Sequence, residues 1–237
     1  DVLGCDFYLM NYIEVLVIRR EYPPTLQLTA TQIRAQLFNF FDVLSELHAV
    51  DLVEAGLDTF GKPAGYVLRQ VDGWRRRWED AITPDTVNCD ATIKWLMDNM
   101  PAESGKASVI HNDYKMDNVI FCLQDPLQVI GVLDWEMSTV GDPLMDLGCT
   151  LGYWTQISDP DFFRESRTMP SDVEGAPTRA EIIARFQQQT GLAVDNFPFY
   201  FCFGLFRLAV IGQQIYYRYY HGLTRDFLNR TEAFFRH

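Results

Sequence analysis

Three oxygen-bearing side chains stand at spacings that could bring them to one site. Asp113 and Asn118 are five residues apart in the run HNDYKMDNVIF, and Asp134 follows 16 residues after Asn118 at the end of the apolar run VIGVL. Asp and Asn serve constantly as turn and cap residues, so each alone means little. Their joint placement at strand ends is different, because strand ends present side chains along one rim of a sheet. Carboxylate and amide oxygens are hard ligands suited to Mg²⁺, which takes few protein ligands and completes its shell with water and phosphates. A carboxylate that is not a ligand can accept the proton of an attacking hydroxyl. Around these three, His111 reads as a hydrogen-bonding brace of the loop and Asp117 as a second brace. Asp142 and Asp146 read as a helix cap and a support of the same loop.

The elements that must position these groups are short strands between helices. Ser108–His111, Val119–Cys122 and Val129–Leu133 are brief apolar runs, and the turn around Gln124-Asp125-Pro126 makes the last two a hairpin. Before them, Asp6–Val17 is aromatic and β-branched and reads as a strand with a bend near Asn11. Thr29–Val50 carries Ile33, Leu37, Phe40, Phe41, Leu44 and Leu47 on one helical face. Tyr66–Ile82 and Asp90–Asn99 are further helices, the latter with Asp90 as its expected cap and Pro101 beyond its end. After the strands, Thr178-Arg-Ala-Glu181 is a capping box, Gly191 is a helix stop, and Phe199–Tyr220 is a long aromatic helix closed by Gly222. Ser158–Pro177, rich in Asp, Ser, Pro and Gly, is expected to be a mobile surface loop.

Composition narrows the classes. The chain has 237 residues, and 20 basic against 32 acidic side chains leave a net charge of −12, which excludes an extended nucleic-acid face and disfavours an anionic membrane surface. Hydrophobic residues at 48% and charged ones at 22% describe a globular domain rather than a disordered chain. The five cysteines lie at 5, 89, 122, 149 and 202 with no CxxC pair, so no zinc knuckle is written, and their odd number suits a reducing compartment, here read as cytoplasmic. No signal peptide opens the chain. Its most apolar stretch, Phe197–Gly212, is too short for a membrane span and is interrupted by Arg207. A charge there must be paired or face a cleft. The run Trp74-Arg-Arg-Arg-Trp78 reads as a solvated helix face pairing with acidic neighbours.

The runs HNDYKMDNVIF and VLDWEMSTVGDPLMDLG resemble the catalytic and metal-binding loops of the aminoglycoside phosphotransferase family, which has a protein-kinase-like fold. FYLMNYIEV resembles the last N-lobe strand and hinge of that family. LHAVDLVEAGLDTFGKPAGYVLRQVDGW resembles a subgroup related to the kinase-like domain of acyl-CoA dehydrogenase fusion proteins. The resemblance implies an α+β kinase-like C-lobe over residues 19–237, mostly helical with a small strand cluster at the catalytic loop. Residues 1–18 would be a remnant of the N-lobe strands and hinge. It implies that Asp113 is the catalytic carboxylate, that Asn118 and Asp134 hold Mg²⁺, and that the backbone of Met10, Asn11, Tyr12 and Ile13 meets the adenine of ATP. The acceptor would be a small-molecule hydroxyl, on an aminoglycoside or on a hydroxyacyl compound, and residues 48–82 favour the latter.

One departure stands out. The four lysines, at 62, 94, 106 and 115, all follow the hinge, so the strand Lys and phosphate-covering loop of the family are expected to be missing from this chain, which starts with Asp rather than Met. The exposed strand at its start would then lack sheet partners and admit a homodimer. Two other readings compete with the kinase: a non-catalytic, pseudokinase-like binding or scaffolding domain, and a metal-dependent hydrolase using the same three oxygens.

Overall fold

In a computed structural model the chain is described at residue 4 and over residues 12–102 and 104–224. Its order is β1 (Val15–Val17), α1 (Ala30–His48), α2 (Tyr66–Asp80), α3 (Asp90–Asp98), β2 (Ser108–Ile110), β3 (Val119–Cys122), β4 (Val129–Val132), β5 (Thr139–Gly141), α4 (Pro143–Gly152), α5 (Asp161–Glu165), α6 (Arg179–Thr190) and α7 (Phe197–Tyr220). The α+β class follows, with helices packed around two small antiparallel sheets.

The sheets hold the two ends of the HNDYKMDN loop. β3 and β4 form the expected hairpin, with Val119 opposite Val132 and an irregularity at Ile120/Phe121. β1 adds to its other side with Val15 opposite Cys122 and Val17 opposite Ile120. The β1 strand therefore has a sheet partner, and the next residue, Ile18, is fully buried in the core. The part of the expected strand from Asp6 to Asn11 lies outside the described residues. β5 was not apparent in the sequence. It pairs with β2, Ile110 opposite Thr139, and so ties the start of the HNDYKMDN run to the GDP segment.

α1 and α6 begin as capping residues require. Thr178 Oγ1 accepts from the Glu181 amide at 3.2 Å while Glu181 Oε2 accepts from the Thr178 amide at 2.8 Å, and Thr29 with Gln32 repeats the box at α1. Gly191 ends α6 in a left-handed conformation. Asp90 is not the cap of α3: Cys89 holds that position and Asp90 is in the first turn, its amide bonded to Asn88 Oδ1 at 2.7 Å. The segment Ser158–Pro177 is not a loose loop. It contains α5, buries Met169 and Ser171, and anchors Asp172 between Arg164 and Arg167.

The core is centred on α4, buried at every position, against α7. Contact this close needs residues without side chains: a Cβ on Gly148 would lie 2.3 Å from Tyr200 O, and one on Gly204 would lie 2.1 Å from Gly148 O. Neither backbone can yield without parting the helices. Gly204→Ala is therefore expected to cost about 3 kcal/mol or more, lowering the midpoint in a thermal melt by several degrees, whereas Gly56→Ala, with open space around its Cβ position, should lose less, through its positive φ alone.

Candidate active site

The loop after β2 is fixed by one buried carboxylate. Asp146 on α4 has no exposure; its Oδ2 accepts from the His111 amide at 2.8 Å and its Oδ1 from the Asn112 amide at 2.8 Å. His48 Nε2 at the end of α1 lies 3.0 Å from Oδ2. Burial alone would push the Asp146 carboxyl up; the bonds from His48 and the two amides outweigh it and hold the group below the usual carboxylate range. Asp142, the expected cap, accepts from the Leu144 amide at 2.8 Å and starts α4 in the right direction.

His111 is the brace that the sequence suggests. It is fully buried, its Nδ1 accepts from the Asp113 amide at 3.2 Å, and its Nε2 meets Leu133 O at 2.8 Å. With the Asp113 amide donating to Nδ1, Nε2 carries the proton. Asn112 takes a left-handed conformation, φ 65°, stabilised by its Nδ2 bond to Met137 O at 2.9 Å and by Tyr66 Oη donating to its Oδ1 at 3.0 Å. Tyr114 donates to Phe40 O at 2.8 Å and pins the loop to α1.

These constraints aim the Asp113 carboxylate. Tyr153 Oη donates to Oδ1 at 3.1 Å, Asn118 Nδ2 donates to Oδ2 at 3.1 Å and to Asp113 O at 2.9 Å, and Lys115 Nζ lies 3.3 Å from Oδ2. Burial, then the Asp113 charge, push the Tyr153 hydroxyl upward, so it stays a proton donor. Asn118 is buried, and because its amide nitrogen is committed to Asp113, its Oδ1 is left as an acceptor.

Asp134 is brought to the same rim by backbone. The Leu133 amide donates to Asn118 O at 2.7 Å, and Leu133 O meets His111. Asp134 itself is left-handed, φ 67°, and exposed. Among the described residues its carboxylate has neither hydrogen bond nor ion pair. Left-handed non-glycine residues cost roughly 1–3 kcal/mol and gather at functional sites; among the described residues the two that do so, Asn112 and Asp134, flank this loop.

Not every expected residue joins. Asp117 is exposed and among the described residues pairs only with Lys115, at 3.7 Å, so it does not brace the loop. Met10 and Asn11 lie outside the described residues. Tyr12 and Ile13 are described, and both are exposed. Sequence reasoning missed Tyr153, Asn112, Tyr66 and His48. Only His48 left a signal: it continues the apolar face of α1, where a histidine needs a buried partner.

Beside the loop is a cavity of about 180 Å³ between α2, α4, α7 and β5, lined by Trp74, Arg77, Asn112, Met137, Phe203 and Arg207 among others. Arg75 and Arg76 pair with Asp72 as expected of a solvated face, and Arg75 also with Glu79. No helix among the described residues is long and apolar enough to cross a membrane.

The sequence matches the phosphotransferase enzyme family over residues 1–181. It is 33% identical over 220 residues to acyl-CoA dehydrogenase family member 10 of Mus musculus, covering 92% of this chain and 20% of that protein. It is 29% identical over 226 residues to family member 11 of Gallus gallus, covering 94% of this chain and 28% of that protein. The chain thus spans between a fifth and three tenths of these relatives. Among solved structures it is similar to a Ralstonia eutropha protein provisionally named an aminoglycoside phosphotransferase, with a TM-score of 0.80 and 29% identity over 94% of this chain and 67% of that one.

Stability should carry the signature of Asp146. A carboxyl held low in the folded state stabilises the fold above its unfolded pKa of about 3.9 and loses that contribution as pH falls through the folded value. Urea melts should show stability declining below about pH 4, with Asp146→Asn weaker at neutral pH by about 3–5 kcal/mol and flatter on the acid side.

Proposed function

Because the chain belongs to the phosphotransferase enzyme family, its model matching residues 1–181, we propose that it transfers the γ-phosphoryl group of Mg²⁺-bound ATP to a hydroxyl of a small molecule. The observation that carries this reading is the Asp113 carboxylate, held at both oxygens by Tyr153 and Asn118 and only partly exposed. The hydroxyl oxygen attacks the γ-phosphorus, the bond to the β,γ-bridging oxygen breaks, ADP leaves, and the acceptor proton passes to Asp113. Each Asp113 oxygen has a lone pair beyond those used by Tyr153 and Asn118. The contribution of such a base is positioning as much as proton transfer, since phosphoryl transfer asks for little covalent help. Lys115, beside Asp113, places positive charge where negative charge develops.

The metal reading rests on the donor set. Asn118 Oδ1 and the Asp134 carboxylate are two hard oxygens without protein donors among the described residues, which suits an ion that keeps water and phosphate in its shell. No cluster of three His, Cys, Asp or Glu side chains able to hold a metal is found among the described residues. When bound, Mg²⁺ would neutralise charge on the β- and γ-phosphates. Asn118 and Asp134 would hold it. The acceptor class favoured by residues 48–82 is a hydroxyacyl compound rather than an aminoglycoside, and the hinge at residues 10–13 would meet adenine.

In a coupled ADP-release assay on the protein that carries this chain, Asp113→Asn should lower kcat by about 100-fold or more with nucleotide affinity nearly unchanged. Asp134→Ala should instead abolish Mg²⁺-dependent nucleotide binding in calorimetry. Normal turnover by the Asp113 variant would exclude this mechanism.

A further inference from the structure

The donors around the Asp113 carboxylate are not shared evenly between its two oxygens. Oδ2 meets the Asn118 amide at 3.1 Å and the Lys115 ammonium at 3.3 Å. Oδ1 meets the Tyr153 hydroxyl at 3.1 Å and, among the described residues, no other donor. A carboxylate oxygen has two lone-pair sites. Both sites of Oδ2 therefore face donors from the same loop, while Oδ1 keeps one site open. Tyr153 touches the loop a second time, because its ring lies 5.7 Å from Lys115 Nζ. It thus reaches the carboxylate with its hydroxyl and the neighbouring cation with its ring face. Burial, then the Asp113 charge, push that hydroxyl upward, so it donates and does not ionise.

What puts Tyr153 there is the register of α4. Tyr153 follows Pro143–Gly152 with helical backbone, φ −78° and ψ −15°, and its amide is bonded to Thr150 O at 3.1 Å. It stands seven residues after Asp146. Seven residues are close to two turns, so the two side chains leave one face of the helix about 10 Å apart along its axis. Asp146 takes the His111 and Asn112 amides, and Tyr153 takes the Asp113 side chain. The other face carries Gly148 and Gly152, whose Cβ positions would lie 2.3 Å from Tyr200 O and 3.0 Å from Gly204 C. α4 is therefore backed by α7 and presents two fixed anchors to the loop, one for its backbone and one for Asp113. We propose that Tyr153 is a positioning residue for phosphoryl transfer, turning Asp113 so that Oδ1 takes the proton of the acceptor hydroxyl. The inference rests on the phosphotransfer reading of this loop. In that step the acceptor oxygen bonds to the γ-phosphorus as the bond to the bridging oxygen breaks, and the acceptor O–H proton moves onto the open lone pair of Oδ1. Tyr153 keeps its own proton and donates to the other lone pair throughout. Without the hydroxyl the carboxylate is free to turn toward Lys115 and Asn118, while the Asp146 anchor stays intact.

The test is a double-mutant cycle on the protein that carries this chain. It is read as ADP release from Mg²⁺-ATP with short hydroxyacyl N-acetylcysteamine thioesters as acceptors and with water alone. Tyr153→Phe keeps the ring beside Lys115 and removes one hydroxyl. It should lower kcat by about 10- to 100-fold, with both KM values and the nucleotide affinity in calorimetry held within about twofold. In the Asp113→Asn background the same change should cost less than about twofold, because the group that it positions no longer takes the proton. A merely structural tyrosine would lower both backgrounds alike and would shift the thermal melt or the KM values. Unchanged kcat in Tyr153→Phe, an equal loss in the Asp113→Asn background, or a Tyr153→Phe chain that does not fold would overturn the positioning role. With Asp113→Asn itself inactive, each of those results leaves the transfer reading in place. Normal turnover by Asp113→Asn, or no ADP release by the unaltered protein with the thioesters or with water, would reject the transfer reading and the positioning role together.

Discussion

The site depends on a single buried carboxylate. Asp146 is inaccessible to water and accepts hydrogen bonds from two consecutive amides, those of His111 and Asn112, with His48 Nε2 beside it. A carboxylate without water is unfavourable unless its lone pairs are satisfied, so the loop amides and the α1 histidine are held to it. That requirement fixes the turn after β2, allows Asn112 its left-handed conformation, and through the Asp113 amide on His111 Nδ1 sets where the next side chain points. α4, which carries Asp146, is in turn held in place by its glycine contact with α7. Core packing and active-site geometry are therefore one problem: parting α4 from α7 would move the anchor of the loop.

The same helix pair shapes the neighbouring cavity. α7 brings Arg207 to it and α2 brings Arg77, so the cavity is framed by helices while the proposed metal side is framed by strand ends. Carboxylates flank the HNDYKMDN loop and are missing from the cavity lining.

Much of this was legible in the sequence because it rests on local chemistry. The β3–β4 hairpin follows from two β-branched runs around Gln124-Asp125-Pro126, and the α6 start follows from Thr178 and Glu181, whose side chains satisfy each other's amides. The gathering of Asp113 and Asn118 was legible because only four residues separate them. What failed to show is non-local. β5, only Thr139–Gly141, carries β-branched Thr139 and Val140 but is too short to show as a pattern, and it is fixed as a strand by Ile110 and Val109 opposite it. Asp90 is a good cap residue by type, yet Cys89 takes the position. The Ser158–Pro177 segment has loop composition but is held down by Met169 in the core and by Asp172 between two arginines. Tyr153, 40 residues from Asp113, meets it only because α4 folds back across the loop.

The central claim is that Asn118 and Asp134 hold the metal while Asp113 stays free for the acceptor. A crystal structure of the protein with Mg²⁺ and a non-hydrolysable ATP analogue tests it most directly. The account predicts metal–oxygen distances of about 2.0–2.1 Å to Asn118 Oδ1 and to an Asp134 carboxylate oxygen, with Asp113 still bonded to Tyr153 and outside the coordination shell. A metal bound through Asp113, or one that leaves Asp134 pointing into solvent, would contradict it.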